Sequence, residues 1–148
     1  MQIRPVTSSD RDRWLAMRVA LWPEGSRDEH AAEIDEIYDG SATEPQAVLV
    51  AEHDDGSLAG FAELSIRPCA EGCRTTRVAY LEGWYVAPEA RRMGVGRALI
   101  RAAEDWGRQQ GCSEFASDTE TDNDSSIAAH LALGFEDAGL VQCFRKDL

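Results

Sequence analysis

No apolar stretch in this 148-residue chain approaches the roughly 20 residues needed to span a bilayer, so a transmembrane helix is not expected. The opening segment, MQIRPVTSSDRDRW, turns polar within a few residues and lacks the apolar centre of a secretory signal. A cytoplasmic location is the expectation. Internal repeats, low-complexity tracts and linker-like segments are also missing, which predicts one domain over residues 1–148. Positive charge is scarce, with 15 Lys+Arg against 27 Asp+Glu and a net charge of −12. The deficit is concentrated in residues 24–55, where eleven acids face one base, Arg27. Such a surface repels phosphate backbones and anionic lipid, so neither nucleic acid nor membrane is an expected partner. It suits cations, or it serves solubility alone.

Paired metal-ligand spacings are lacking too. His30, His53 and His130 are scattered, and Cys69-x-x-x-Cys73 is at most half of a zinc site, so no metal is expected. Cys69, Cys73, Cys112 and Cys143 read as free thiols of a reducing compartment.

What is present alternates between two periods. Ile3 and Val6 suggest a first strand, and Thr7-Ser8-Ser9-Asp10 offers capping side chains for a helix to about Leu21, ended by Trp22-Pro23. Asp28 is placed to cap a second helix with Ile34, Ile37 and Tyr38 on one face. Ala47–Ala51, the turn Asp54-Asp55-Gly56-Ser57, and a strand from Leu58 predict a hairpin. In its second arm Ala62, Leu64 and Ile66 alternate with Glu63, Ser65 and Arg67, the pattern of a strand buried on one face. Val78–Val86 is a long, mostly apolar strand interrupted by Gly83, which marks a bulge or a close backbone approach. The clearest helix carries Val95, Ala98, Leu99, Ala102, Ala103 and Trp106 on one stripe. Glu114–Ser117 reads as a short strand, Asn123–Leu133 as a helix closed by Gly134, and Leu140–Phe144 as a last strand. The order βααβββαβαβ predicts an α/β fold: a central mixed sheet with helices on both faces.

Between the long strand and the amphipathic helix lies Arg91-Arg92-Met93-Gly94-Val95-Gly96. Two glycines let the backbone turn its N–H groups inward, and the start of a helix adds unpaired donors, a combination that holds phosphate with arginines at the rim. It is neither a Walker loop nor a dinucleotide G-x-G-x-x-G, because position 99 is Leu. Placed after Tyr85-Val86, R-x-x-G-x-G resembles the acetyl-CoA pyrophosphate loop of the GCN5-related N-acetyltransferases (GNAT), and the element order resembles that fold over almost the whole chain. The resemblance implies acetyl-CoA as co-substrate. It places Arg91, Arg92, Met93, Gly94, Val95, Gly96 and Arg97 on the pyrophosphate, and a thioester-polarising N–H among Trp84, Tyr85 and Val86. Asn123 would lie along the pantetheine arm.

A narrower resemblance is carried by Leu21-Trp22-Pro23, Phe61-Ala62-Glu63-Leu64-Ser65-Ile66-Arg67, Leu81-Glu82-Gly83, Ala116-Ser117-Asp118-Thr119, Ala132-Leu133-Gly134-Phe135-Glu136 and Phe144-Arg145-Lys146. Together these are similar to the bacterial aminoglycoside 6'-N-acetyltransferases, which implies transfer of acetyl to the 6'-amine of an aminoglycoside, antibiotic resistance, and a homodimer. Trp22, Glu82 and Asp118 fall on that family's antibiotic contacts. Departures occur at Glu24-Gly25-Ser26, at Pro68-Cys69-Ala70, at Ala138-Gly139, and at Phe144, where many superfamily members carry a tyrosine that protonates the departing thiolate.

The acids point the same way on physical grounds. A polycation needs fixed carboxylates, and Glu82 is a charge in an otherwise apolar strand, either part of a pocket, paired with an arginine, or facing solvent. Asp118 follows a strand's C-terminal end, where α/β sheets place ligands, while Glu120, Asp122 and Asp124 read as a solvated loop. An attacking amine must be neutral, which costs about 1.36 kcal/mol per pH unit below its pKa, so a carboxylate base helps. Glu82 is the first candidate and Asp118 the second. Trp22 reads either as an antibiotic-stacking ring or as an ordinary core tryptophan. Two alternatives stay open: acetylation of a polyamine, another small amine or a protein N-terminus, and an acyl-CoA-binding module without turnover.

Overall fold

The computed structural model describes residues 1–148 as a five-stranded sheet in the order β1-β2-β3-β4-β5. The strands are β1 (Gln2–Pro5), β2 (Ala47–Glu52), β3 (Leu58–Arg67), β4 (Val78–Val86) and β5 (Phe115–Ser117), and the helices are α1 (Arg11–Leu21), α2 (Arg27–Asp39), α3 (Val95–Gln109) and α4 (Asp124–Ala132). All neighbours run antiparallel except β4 and β5, which are parallel. The expected α/β fold with a mixed sheet is therefore formed. No helix is long and apolar enough to cross a membrane.

The local signals act largely as read. Asp10 accepts from the Thr7 N–H at 2.8 Å and opens the first helical turn. The β2–β3 hairpin turns through Gly56 at φ 81°, with the Ser57 N–H bonded to the Asp55 carboxylate at 2.9 Å. The second helix is capped differently from the expectation at Asp28. Ser26 Oγ accepts from the Glu29 N–H at 3.1 Å and the Glu29 carboxylate returns to the Ser26 N–H at 3.1 Å, a reciprocal capping box that leaves Asp28 in the first turn.

Two apolar clusters lie on opposite faces of the sheet. Leu64, Leu81, Val95, Leu99, Ile100 and Ala103 join the sheet to α3, while Trp14, Leu15, Ile34, Val50 and Phe61 join it to α1 and α2. Because both faces are covered, the one-sided burial expected for β3 is overturned: Glu63 is 2% exposed and Ser65 is fully buried. Alternation in the sequence reports two chemistries here, and helices decide that both are inside.

The expected strand Leu140–Phe144 does not form. No backbone–backbone hydrogen bond involves residues 136–148, and the segment leaves α4 through Gly134 (φ 92°) and Gly139 (φ 103°) without meeting a strand edge. A strand is defined by its partner, and an apolar pattern cannot supply one. Leu140 and Phe144 are left 83% and 92% exposed.

Candidate active site between strands four and five

The site originates in incomplete pairing. β4 meets β5 only through Ala79, Tyr80 and Leu81 opposite Phe115, Ala116 and Ser117, so Glu82–Val86 have no neighbour on that side. A wedge-shaped opening results. The Ala87 N–H bonds the Ala59 carbonyl of β3 at 2.9 Å, and alternation along an antiparallel ladder then directs Tyr85 toward β3 and the N–H groups of Trp84 and Val86 into the opening.

Below it, Arg91-Arg92-Met93-Gly94 leads into α3. None of the backbone N–H groups from Arg92 to Arg97 has an acceptor within the chain. Arg92 takes φ 63° and Gly94 φ 83°, a left-handed pair that turns successive N–H groups to one side. Arg92, an ordinary L residue held in that region, is a point of backbone strain beside unsatisfied donors, a combination found where loops receive ligands. Arg91, Arg92, Met93 and Arg97 are exposed at the surface, Arg91 Nε donating to the Val86 carbonyl at 3.1 Å. The Val95 side chain is buried in the core, so Val95 offers the site only its N–H. A Cβ at Gly96 would lie 2.9 Å from Trp84 Cζ2, so the glycine lets the loop close onto the strand. Asn123 is spent in part on its own helix, accepting from the Ser126 N–H at 3.1 Å as the cap of α4.

The acids converge at the same opening. The register of β3 and β4 slips between Glu63 opposite Gly83 and Leu64 opposite Leu81, which leaves Glu82 as the extra residue of a β-bulge. A bulge re-aims a side chain. Glu82 accepts from Nε and Nη2 of Arg67, at 2.9 and 2.6 Å; the Arg67 guanidinium lies 3.6 Å from the Tyr80 ring centre, and the Tyr80 hydroxyl donates to Asp118 at 2.5 Å. Burial and the Asp118 carboxylate raise the Tyr80 pKa, so the hydroxyl keeps its proton for that bond. Glu82 and Asp118 are thus joined by one chain of contacts through Arg67 and Tyr80. Of the readings open for Glu82, pairing with an arginine is realised, and its closeness to the opening is realised as well. Glu120, Asp122 and Asp124 are exposed.

Trp22 closes the other side. Its Cη2 would be 2.5 Å from a Cβ on Gly83, so the strand glycine marks both the bulge and the close approach. The ring is half-buried, stacks on His30 at 6.2 Å, and carries the Arg18 guanidinium at 5.0 Å. Arg18 Nε lies 3.0 Å from the buried Glu63 carboxylate and Nη2 lies 2.9 Å from Glu33, while Trp14 Nε1 donates to Glu63 at 3.0 Å. Desolvation raises the Glu63 pKa to about 7 against the opposing pull of Arg18. Arg18, Glu63 and Arg67 carry no site reading in the sequence, and Tyr80, like His130, reads there as a structural residue. Only Glu63 and Arg67 carried a signal, as charges in strands. No group of three or more His, Cys, Asp or Glu side chains is arranged to hold a metal.

A splayed parallel pair above a loop of unpaired N–H groups defines a class: the chain belongs to the acetyltransferase (GNAT) family, whose model matches residues 12–135. Within that family it groups with the aminoglycoside N(6')-acetyltransferases type 1. It is 56% identical to the one from Klebsiella aerogenes over 99% of this chain and 96% of that protein, and 44% identical to the one from Serratia marcescens over 93% and 92%. The structure of AAC(6')-Iy in complex with the bisubstrate analog CoA-S-monomethyl-acetylneamine superposes with a TM-score of 0.90 at 38% identity, covering 99% of this chain and 98% of that one. The apo 6'-N-acetyltransferase AAC(6')-IG from Acinetobacter haemolyticus gives 0.91 at 37% identity, covering 100% and 99%.

Proposed function

We propose that this enzyme transfers the acetyl group of acetyl-CoA to the 6'-amine of aminoglycoside antibiotics by direct attack and so confers resistance. The observation that carries this reading is the convergence of Glu82, Asp118 and Trp22 on the opening between β4 and β5, beside a loop whose N–H groups are unpaired.

The residues fit acetyl-CoA. The N–H groups of Arg92–Arg97 and the charges of Arg91, Arg92 and Arg97 would hold its pyrophosphate, with Met93 beside it and Gly94 and Gly96 permitting the approach. The free side-chain NH2 of Asn123 and the indole of Trp84, whose buried Nε1 has no acceptor, border the pantetheine path. Bound there, the co-substrate supplies an activated acetyl group. The N–H of Val86, fixed by the ladder before reaction, stabilises the charge that develops on the carbonyl oxygen, while that of Tyr85 is committed to β3. Trp22 and the carboxylates Glu82 and Asp118 hold the cationic acceptor, and Glu82 at the bulge, next in the chain to the Gly83 on which Trp22 packs, takes the ammonium proton directly or through water.

We further propose a homodimer in the cytoplasm. Its support is the tail 136–148, which exposes Leu140, Val141 and Phe144 and lacks a ladder partner, a surface that a second copy would cover. The four unpaired cysteines suit a reducing compartment. Sedimentation of the wild type and of Leu140→Asp/Phe144→Asp tests the dimer, a monomeric wild type being the contrary result.

Thiol release from acetyl-CoA with paired aminoglycosides bearing an amine or a hydroxyl at the 6' position tests the reaction, with spermidine and a peptide as controls. Turnover confined to 6'-amino compounds is expected. Turnover with spermidine or peptide alone would replace the acceptor, and binding of CoA without turnover would replace the enzyme with a binding module.

A further inference from the structure

The reading of the β4–β5 opening as the thioester slot leaves the departing thiolate without a proton donor, since Phe144 has no hydroxyl and lies exposed on the tail. A hydrogen-bonded pair stands where such a donor is needed. Ser117 is the last paired residue of β5, opposite Leu81, directly where the strands part. Its Oγ lies 2.8 Å from Nε2 of His130 on α4. His130 Nδ1 lies 2.7 Å from the Ser126 carbonyl oxygen and 3.4 Å from its hydroxyl. A carbonyl only accepts, so Nδ1 carries the proton and Nε2 is the nitrogen that exchanges one with Ser117.

The imidazole also reaches the other arm of the wedge. Its ring meets Trp84 edge-on, with centroids 5.5 Å apart and planes at 90°, and it rests on Phe135 at 5.1 Å. His130 therefore bridges the two strands that separate, with its orientation fixed from behind by Ser126. The side chains that face it are Ser117 of β5, Trp84 of β4, Ser126 of α4 and Phe135 after it. The next residue of β5, Asp118, is turned to Tyr80, and no charged side chain bonds the imidazole. A nucleophile-type hydroxyl, a base and an orienting acceptor at these spacings form a proton relay.

We propose that Ser117 donates the proton to the thiolate of CoA as it departs, and that His130 is the positioning residue that resupplies Ser117. This rests on the slot reading given above. The acceptor nitrogen, having lost its ammonium proton to Glu82 or water, forms the C–N bond and sheds a second N–H proton to water as the amide forms, and the C–S bond breaks with its electron pair left on sulfur. Ser117 passes its hydroxyl proton to that sulfur while Oγ takes the Nε2 proton of the imidazolium, and solvent returns one proton to His130. Charge and atoms balance, with one proton released to solvent overall for each ammonium acetylated.

The test uses Ser117→Ala, Ser117→Thr and His130→Gln in the full-length enzyme. Binding of CoA and of desulfo-CoA is measured by calorimetry, and ionisation of the bound thiol is followed by the ultraviolet absorbance of its thiolate. A donor at the sulfur favours the thiolate, so bound CoA is expected to ionise about one pH unit higher in Ser117→Ala and His130→Gln than in the wild type. Affinity for desulfo-CoA should not change. Single-turnover acetylation is expected to fall about 100-fold in both, and Ser117→Thr, which keeps the hydroxyl, to retain most of the rate. An unmoved thiol titration, or a loss of rate matched by an equal loss of desulfo-CoA affinity, would overturn the relay. Gly96→Val separates the underlying reading: if it binds CoA as the wild type does, the slot assignment fails and the relay with it. Impaired binding by Gly96→Val together with an unmoved thiol titration in Ser117→Ala overturns the relay alone.

Discussion

Replacing Glu63 by Gln should remove most of the pH dependence of stability between about pH 5 and about pH 8. Glu63 is buried on β3 with Trp14 Nε1 and Arg18 Nε each 3.0 Å from one carboxylate oxygen, and Glu33 and Glu82 add like charge. Desolvation dominates and raises its pKa from 4.5 to about 7 in the folded protein. The folded state therefore holds a proton that the unfolded chain has lost, so stability falls as pH rises through this window. With those two values the linkage relation gives a loss of roughly 2–3 kcal/mol between about pH 5 and about pH 8, nearly all of it before about pH 7.5. The glutamine of the variant is neutral at every pH and its carbonyl still accepts from Trp14, although Arg18 then retains only Glu33 as an ionic partner. Urea unfolding of both proteins at intervals of about one pH unit measures the difference, with m-values compared to confirm like unfolding. Groups titrating in both proteins cancel in the subtraction. Asp10, held near 2 by Arg4, lies below the window. Parallel stability curves for wild type and variant would refute the reasoning and show that Arg18 keeps Glu63 ionised throughout.

Gly83→Ala would put a methyl 2.5 Å from Trp22 Cη2 and displace the ring from the site; steady-state kinetics should show a KM for aminoglycoside raised about tenfold or more, with CoA affinity measured by calorimetry unchanged. Tyr80→Phe removes the donor to Asp118 and should lower stability by about 1–2 kcal/mol in denaturant titration and reduce kcat/KM for the acceptor more than it weakens CoA binding. Gly107→Ala, whose Cβ would lie 2.9 Å from the Ala79 Cβ, should wedge α3 from β4 and cost about 1–3 kcal/mol by thermal or urea unfolding. An unchanged midpoint would show that the helix shifts freely on the sheet.

Features that depend on neighbours along the chain were legible in the sequence. The stripe Val95–Trp106 needs only the 3.6-residue period to select the face that α3 buries, and Asp55-Gly56-Ser57 turns the hairpin by its own side-chain bonds and one positive φ. The glycines of the loop before α3 announce a conformation that L side chains resist, and the unpaired N–H groups follow from the helix start itself. Other decisions require groups far apart in sequence. Glu82 is partnered by Arg67 fifteen residues away because a register slip in the β3–β4 ladder turns it there, and Asp118 is tied to Tyr80 because β5 lies beside β4. Whether Glu63 faces water or core was settled by α1 and α2 lying over β3, and whether Leu140–Phe144 becomes a strand was settled by the path of the tail, which pairs with neither the open side of β5 nor the unpaired end of β4. Local conformational preference is written in the order of residues, whereas burial, ion pairing and strand partnership are properties of the space between segments, which only the assembled sheet and its helices define.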